Sequence, residues 1–227
     1  MPLLRTSNLT MCDKSWSIID LQDIRYTVQQ MTTVVGLKCV DGVVLASDRR
    51  ASKGGMIGSK SVRKIYALDE NKAVAIAGQL SDANYLINLV KAEAKLIELK
   101  RGFQLTVKEA AKLLSNIMYS GMRSYAPYVT EILVAGIDET GPRLFEADVS
   151  GAITDEDFTA TGSGSPMAFG LLEGSYRQGI KVSDGASVAA RAVKAAMERD
   201  PGSGNGIQVL KITKEGMEWV DIGGNGQ

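Results

Sequence analysis

The sequence contains no histidine. That one absence excludes the serine and cysteine hydrolases that depend on an imidazole base, the HExxH metalloproteases and most zinc chemistry. A hydrolase of this composition must take its general base from a lysine, a carboxylate or an amine terminus. Cysteine is almost as scarce. Cys12 and Cys39 show no partner pattern and no metal-ligand spacing, and they read as free thiols in a reducing cytosol. Excess charge of either sign is missing as well: Lys and Arg number 26, as do Asp and Glu. The basic residues are spread along the chain, so nothing resembles the clustered footprint of a nucleic-acid surface. No apolar run approaches the length of a membrane span, and Met1-Pro-Leu-Leu-Arg-Thr-Ser-Asn lacks the uninterrupted apolar stretch of a secretory signal. The expectation is a cytoplasmic protein with no metal, no cofactor, no nucleic-acid partner and no membrane partner.

What remains is 227 residues, long enough to bury a substantial core. Residues 1–31 are polar and mixed, with weak periodicity around Trp16-Ser-Ile-Ile-Asp-Leu. From Thr32 the texture changes. Thr33-Val-Val-Gly-Leu-Lys-Cys-Val and Gly42-Val-Val-Leu-Ala-Ser are β-branched runs joined by the turn signal Asp41-Gly42, a hairpin by pattern. Lys64-Ile-Tyr-Ala-Leu and Ala73-Val-Ala-Ile-Ala-Gly continue the sheet across the turn Asp69-Glu-Asn-Lys. The period then switches to helical, with one stripe of Leu86, Leu89, Val90, Ala94 and Ile97 and another of Val107, Ala110, Ala111, Leu114 and Ile117. Strands return at Glu131-Ile-Leu-Val-Ala-Gly-Ile and Arg143-Leu-Phe-Glu-Ala, helices near 165–178 and 183–199, and strands at Ile207-Gln-Val-Leu-Lys-Ile and Met217-Glu-Trp-Val. Hairpin-linked strands with helices in pairs predict an α+β fold, a four-layer α-β-β-α sandwich of two antiparallel sheets. Helices over both sheets would explain strands that look apolar on both faces. The Gly-rich end, Gly223-Gly-Asn-Gly-Gln, reads as a frayed tail.

One segment offers histidine-free chemistry. A threonine hydroxyl is a poor nucleophile unless a base sits beside it, and an α-amino group on the same residue can be that base. Its ordinary pKa of about 7.7–8.0 lies close to neutral, and a nearby lysine ammonium would disfavour a second positive charge on it. Thr32-Thr-Val-Val-Gly supplies the threonine, Asp48 ends the second strand and Lys64 opens the third, so antiparallel neighbours could gather them. Taken as residues alone, other readings stay open. Asp48 and Lys64 also fit a surface ion pair, Gly162-Ser-Gly-Ser a strand-to-helix turn capped by Ser163 or Ser165, and Asp200-Pro-Gly-Ser-Gly a helix stop. A phosphate loop at Gly162 is excluded because no GK[ST] follows.

The order and spacing of six segments carry a resemblance. They are Thr32-Thr-Val-Val-Gly, Leu45-Ala-Ser-Asp-Arg-Arg-Ala-Ser, Val62-Arg-Lys-Ile, Ile76-Ala-Gly-Gln-Leu-Ser-Asp-Ala, Ala160-Thr-Gly-Ser-Gly-Ser-Pro and Glu198-Arg-Asp-Pro-Gly-Ser-Gly-Asn-Gly. Together they resemble the proteasome β subunits, in texture the archaeal ones, over residues 32–227. The resemblance implies a threonine endopeptidase of the N-terminal-nucleophile class. It carries the nucleophile onto Thr32, its acidic partner onto Asp48 and its lysine onto Lys64. Ser163, Asp200 and Ser203 become the groups that organise the amine and its water, and Gly78 becomes the backbone N–H of the oxyanion hole. Ser52 falls on the segment that pairs with substrate backbone, where the family often has threonine. The pocket before the scissile bond maps to Ala51, Val62, Ile76 and Leu80, which carry no charge and imply cleavage after large apolar residues.

As partners the resemblance implies α subunits and other β subunits in stacked heptameric rings, a regulatory ATPase ring and unfolded protein substrates. The rival is a catalytically silent ring subunit that keeps the fold, although each mapped position holds a competent residue. An α-type subunit fits less well, because its N-terminal helix motif is not visible in 1–31, and a small-molecule amidohydrolase with a nucleophilic terminus is more distant.

The departure from the family lies at Met31, where self-cleaving β subunits usually have glycine. Two expectations follow for residues 1–31. Either they are a propeptide that Thr32 removes, or translation begins at Met31 and ordinary loss of the initiator methionine exposes Thr32. The Thr32→Ala variant expressed from its native gene separates them by intact mass. Self-cleavage leaves that variant carrying all the preceding residues, whereas a Met31 start yields a chain of mature length.

Overall fold

In the computed structural model, residues 31–53 and 56–223 are described. Among them the chain forms twelve strands and four helices. β1 (Val34–Cys39) and β2 (Gly42–Asp48) make the expected hairpin, with Cys39 opposite Gly42 and Val34 opposite Ser47. β3 (Ala51–Lys53) and β4 (Met56–Ser59) form a short ribbon. β5 (Ile65–Ala67) and β6 (Lys72–Gly78) open the second sheet. Helices α1 (Leu80–Arg101) and α2 (Val107–Arg123) follow, then β7 (Thr130–Asp138), β8 (Gly141–Ala147), β9 (Ile153–Asp155) and β10 (Phe158–Thr161). α3 (Ser165–Ser175) and α4 (Val182–Met197) lead to the closing hairpin, β11 (Ile207–Thr213) and β12 (Gly216–Ile222).

The strands assemble into two antiparallel sheets, ordered β10-β1-β2-β11-β12 and β5-β6-β7-β8-β9. Side-chain alternation along each strand divides the apolar residues into three layers. Val34, Val43, Leu45, Leu133, Leu144, Leu210 and Ile212 meet between the sheets. Val35, Leu37, Val44 and Ala46 point the other way, onto α3 and α4. Val74, Ile76, Ile132, Val134 and Phe145 face α1 and α2. Both faces of both sheets are therefore covered, and the four-layer sandwich is as expected.

Capping chemistry fixes the helix ends. Thr106 and Glu109 form a reciprocal capping box at the start of α2. Gly102, at φ +80°, ends α1 with its N–H donating to Glu98 O at 2.7 Å. The buried stripe of α1 is Ala83, Leu86, Ile87 and Val90, whereas Leu89, Ala94 and Ile97 are only half-buried. A helix of 22 residues runs about 33 Å, and a strand such as β6 about 23 Å, so its last turns overhang the sheet. In α2 the stripe ends on Met118 rather than Ile117. Four strands, β3, β4, β9 and β10, were not expected. Each is only three or four residues long, too short for a period to emerge. Of the expected tail, 223–227, all but Gly223 lie outside the described residues, as do residues 1–30.

Candidate active site at the open end of the sandwich

Five separate segments converge where the two sheets part. Thr32 and Thr33 lie just before β1, and antiparallel pairing of β1 with β2 brings Asp48 alongside them. Lys64 immediately precedes β5. It therefore arrives from the opposite sheet, not from a strand paired with β1 as the sequence suggested. The turn from β10 into α3 supplies Gly162, Ser163 and Gly164, and the loop after α4 supplies Asp200 to Asn205.

Asp48 is the hub, fully buried at 0% exposure. Its Oδ1 accepts from the Thr32 hydroxyl at 2.7 Å, the Lys64 ammonium at 2.6 Å and the Thr33 N–H at 3.0 Å. Its Oδ2 accepts from the Arg50 and Gly204 N–H groups, each at 2.9 Å. Lys64 Nζ also donates to Thr32 Oγ1. The ion pair is thus buried, with 4% and 0% side-chain exposure on its two partners, and is no surface pair. Burial pushes the Lys64 ammonium below its ordinary pKa against the opposing pull of Asp48.

A second network holds the nitrogen side of Thr32. The Thr32 N–H donates to Ser163 Oγ at 3.1 Å, and the Ser163 hydroxyl donates to Asp200 Oδ2 at 2.7 Å. The Ser203 hydroxyl reaches the same Asp200 oxygen at 2.5 Å, and Ser203 Oγ lies 2.6 Å from Thr33 Oγ1. Neither Ser163 nor Ser165 caps α3, whose N-cap is Gly164 with no side-chain cap. The helix-stop reading of Asp200-Pro201 stands beside the site reading, because α4 ends at Met197. Glycine is required at two points. At Gly162 (φ +93°) a Cβ would lie 2.3 Å from Thr32 O, and at Gly78 (φ +122°) 2.5 Å from Val129 O.

A cavity of about 350 Å³ opens over Thr32, Lys64 and Gly78. Of the expected lining, Ala51, Ser52, Ile76 and Leu80 are present. Val62 does not line it; half-buried, it is occupied in a backbone bond to Arg49 O at 3.0 Å. The wall is also less apolar than expected, since Arg50, Gln79 and Ser81 contribute to it.

Two residues escaped sequence reasoning. Thr33 bridges the two networks. Arg50 ties the loop after α4, its Nε donating to Asn205 Oδ1 at 2.9 Å and its Nη1 to Pro201 O at 2.8 Å. Its guanidinium lies against Gly204, where a Cβ would sit 2.3 Å from Nη2. The signal was present in the Asp48-Arg-Arg run and in Asn205-Gly206, whose Asn takes φ +67°. Among the described residues no helix is long and apolar enough to cross a membrane, and no group of three His, Cys, Asp or Glu side chains is set to hold a metal ion. Cys39 is buried, and its thiol is pushed up to about 12, first by burial and then by Asp41 and Asp184.

A threonine hydroxyl held by a buried lysine and aspartate, at the start of the first strand of an α-β-β-α sandwich, defines a threonine hydrolase of the N-terminal-nucleophile class. The chain belongs to the proteasome subunit family: a family model described as "Proteasome subunit" matches residues 28–212. It is 42% identical to the Methanopyrus kandleri protein named "Proteasome subunit beta" over 184 residues, covering 81% of this chain and 88% of that one. It is 44% identical to the Methanohalophilus mahii "Proteasome subunit beta" (85% and 91% covered). To the Archaeoglobus profundus "Proteasome subunit beta" it is 46% identical (86% and 91% covered). The family makes the chain a threonine peptidase subunit of a proteasome core, and membership implies assembly into core rings with α subunits.

Arg50→Ala frees the loop that carries Asp200 and Ser203 without touching Thr32. The expected outcome is at least a tenfold loss of kcat with KM changed less than threefold. Steady-state hydrolysis of a fluorogenic peptide by the assembled particle checks it.

Proposed function

We propose that Thr32 Oγ1 is the nucleophile and that it acts once Thr32 is the free N-terminus. The observation that carries this reading is the convergence of Lys64 Nζ and Asp48 Oδ1 on that one oxygen. In the proposed sequence the hydroxyl attacks the scissile carbonyl while the Thr32 amine takes its proton. Lys64 tunes the amine and Asp48 orients Lys64. The Gly78 N–H holds the oxyanion, an ester acyl-enzyme forms, and water directed by the same amine releases the second product. Ser163, Asp200 and Ser203 organise the amine. A second route is favoured by the direct contact of Lys64 with the hydroxyl: a lysine lowered by burial can take the Thr32 proton itself.

The subunit would work in the cytoplasm, in stacked heptameric rings with α and β neighbours, on unfolded proteins fed by an ATPase ring. Ser52, at the rim of the cavity, would pair with the substrate backbone. Ala51, Ile76 and Leu80 would receive the side chain before the scissile bond. Arg50 also lines the cavity, but Asn205 and Pro201 O engage its guanidinium, so an acidic substrate side chain would find no free cation there. If the wild-type active particle retains residues before Thr32, the silent-subunit alternative takes the lead.

Thr32→Ala is expected to abolish peptide hydrolysis while rings still assemble, and appreciable residual activity would sink the mechanism. Lys64→Ala is expected to be nearly as severe. Lys64→Arg separates the two routes: it keeps the charge but cannot surrender a proton at neutral pH. Retained activity favours the amine as base, and full loss in an assembled particle favours Lys64.

Specificity is read from a peptide panel. Substrates with Leu, Phe or Tyr before the leaving group are expected to be cut at least tenfold faster than those with Arg or Asp. A preference for Arg would show the pocket assignment to be wrong.

A further inference from the structure

The inter-sheet layer is apolar at its centre but not at the edge where β10 lies. There two threonines of β10, Thr159 and Thr161, each 2% exposed, turn inward between the sheets. Each donates its hydroxyl across the gap to a glutamate of the second sheet, Thr159 to Glu146 on β8 and Thr161 to Glu131 on β7. A buried hydroxyl deprived of its partner is destabilising, so each of these bonds holds β10 to the facing sheet.

The two bonds differ in what they adjoin. Thr161 is the last residue of β10 and leads straight into Gly162 and Ser163. It pairs with Val34 of β1, two residues from Thr32. The turn it opens packs tightly on Thr32: the Gly164 N–H donates to Thr32 O at 3.2 Å, and Ser163 Oγ accepts the Thr32 N–H at 3.1 Å. On its other side, Glu131 pairs with Ala77 of β6, the residue before Gly78. The neighbouring Thr130 hydroxyl donates to Ala77 O at 3.0 Å. Glu131 therefore links the strand end that presents Gly78 to the turn that presents Ser163. Glu146 makes the same kind of bond further back along β10, away from both.

We propose that Glu131 is a positioning residue for the Thr32 reaction, acting through the Thr161 hydroxyl to fix the Ser163 turn relative to the Gly78 strand end. This rests on the reading of Thr32 as nucleophile. It asks of Glu131 only that it accept a hydrogen bond, so a carboxamide of the same shape can replace it. The Glu146–Thr159 pair is an internal control: the same kind of bond from an equally buried threonine to a half-buried glutamate, but with no adjoining site residue.

The test uses the assembled particle, with intact mass confirming Thr32 as the mature N-terminus of each variant, and reads kcat and KM on one fluorogenic peptide alongside thermal unfolding. Glu131→Ala and Thr161→Val are expected to lower kcat at least tenfold with KM within twofold of wild type. Glu131→Gln is expected to restore kcat to within threefold. Glu146→Ala and Thr159→Val are expected to lower the unfolding midpoint comparably but keep kcat within twofold. Should Glu131→Ala fail to assemble, Thr161→Val, which removes one hydroxyl at nearly constant volume, carries the measurement. The proposal is overturned if Thr161→Val keeps wild-type kcat, if the Glu146 variants lose as much, or if Gln fails where the particle assembles. Peptide hydrolysis that persists in Thr32→Ala would overturn the reading beneath it instead, so the two failures are distinguishable.

Discussion

The arrangement depends on one buried carboxylate. Asp48 is wholly enclosed and is met by five donors: an ammonium, a hydroxyl and three backbone N–H groups. A carboxylate removed from water is costly unless its lone pairs are taken up, and breaking a buried pair by deleting one partner typically costs about 3–5 kcal/mol. The donors come from the start of β1, the end of β2, the segment before β5 and the loop after α4. Satisfying one carboxylate thus closes the open end of the sandwich. It also places Lys64 and Thr32 on the same oxygen, so the requirement that makes the end fold correctly is the one that assembles the chemistry.

The layering explains why this happens at an end and not in the middle. Between the sheets, Val34, Leu45, Leu133, Leu144 and Leu210 leave no room or partners for charge. The site's polar groups enter where strands terminate: the Asp48 side chain at the end of β2, the Thr161 side chain at the end of β10, and the Gly78 backbone at the end of β6. Strand ends have free backbone groups to offer, and three of the five donors to Asp48 are backbone N–H groups. Satisfaction by backbone is rigid, because it is tied to the sheets themselves and costs no side-chain entropy. A site built this way is preorganised by the fold, with side chains such as Arg50 needed only where a loop, the segment after α4, lacks a strand to hold it.

Much of this was legible in the sequence. Strands buried on both faces, two helix pairs and the absence of histidine led to the sandwich and to an N-terminal base. The ordered motifs led to Thr32, Asp48, Lys64, Ser163, Asp200 and Ser203, and the structure brings all six together. What was not legible depends on which sheet a residue belongs to. Lys64 looked like a strand neighbour of Asp48 because both flank apolar runs, yet it crosses from the other sheet, a fact no local pattern encodes. Val62 and Lys64 are two positions apart in one motif, but only Lys64 reaches the cavity. β10 was missed because Phe-Thr-Ala-Thr is short, and its inward threonines look like solvent-facing ones until their glutamate partners are known. Arg50 was hidden because an Arg after Asp reads as a solvated charge, and its partners lie more than 150 residues away.

The chemistry of residue 31 follows from the same preorganisation. With Met31 attached, the Thr32 nitrogen is a peptide amide, whose lone pair is delocalised into the bond and cannot act as a base. It nevertheless already donates to Ser163 at 3.1 Å. Exposing the terminus would therefore change the electronic character of a nitrogen whose partner is already in place. Before exposure, two groups are in contact with Thr32 Oγ1: Lys64, and Asp48, whose Oδ1 accepts from the hydroxyl at 2.7 Å. If Thr32 removes its own leader, the proton of its hydroxyl must leave through that pair, because the amine does not yet exist. The Lys64–Asp48 pair would then serve in removing the leader even if the amine serves afterwards. The site also accommodates a residue larger than glycine before Thr32. Met31 lies against Gly202, where a Cβ would come within 2.7 Å of the Met31 Cα and 2.8 Å of its Cβ. The missing side chain at Gly202 thus leaves space for the Met31 backbone and the first atom of its side chain.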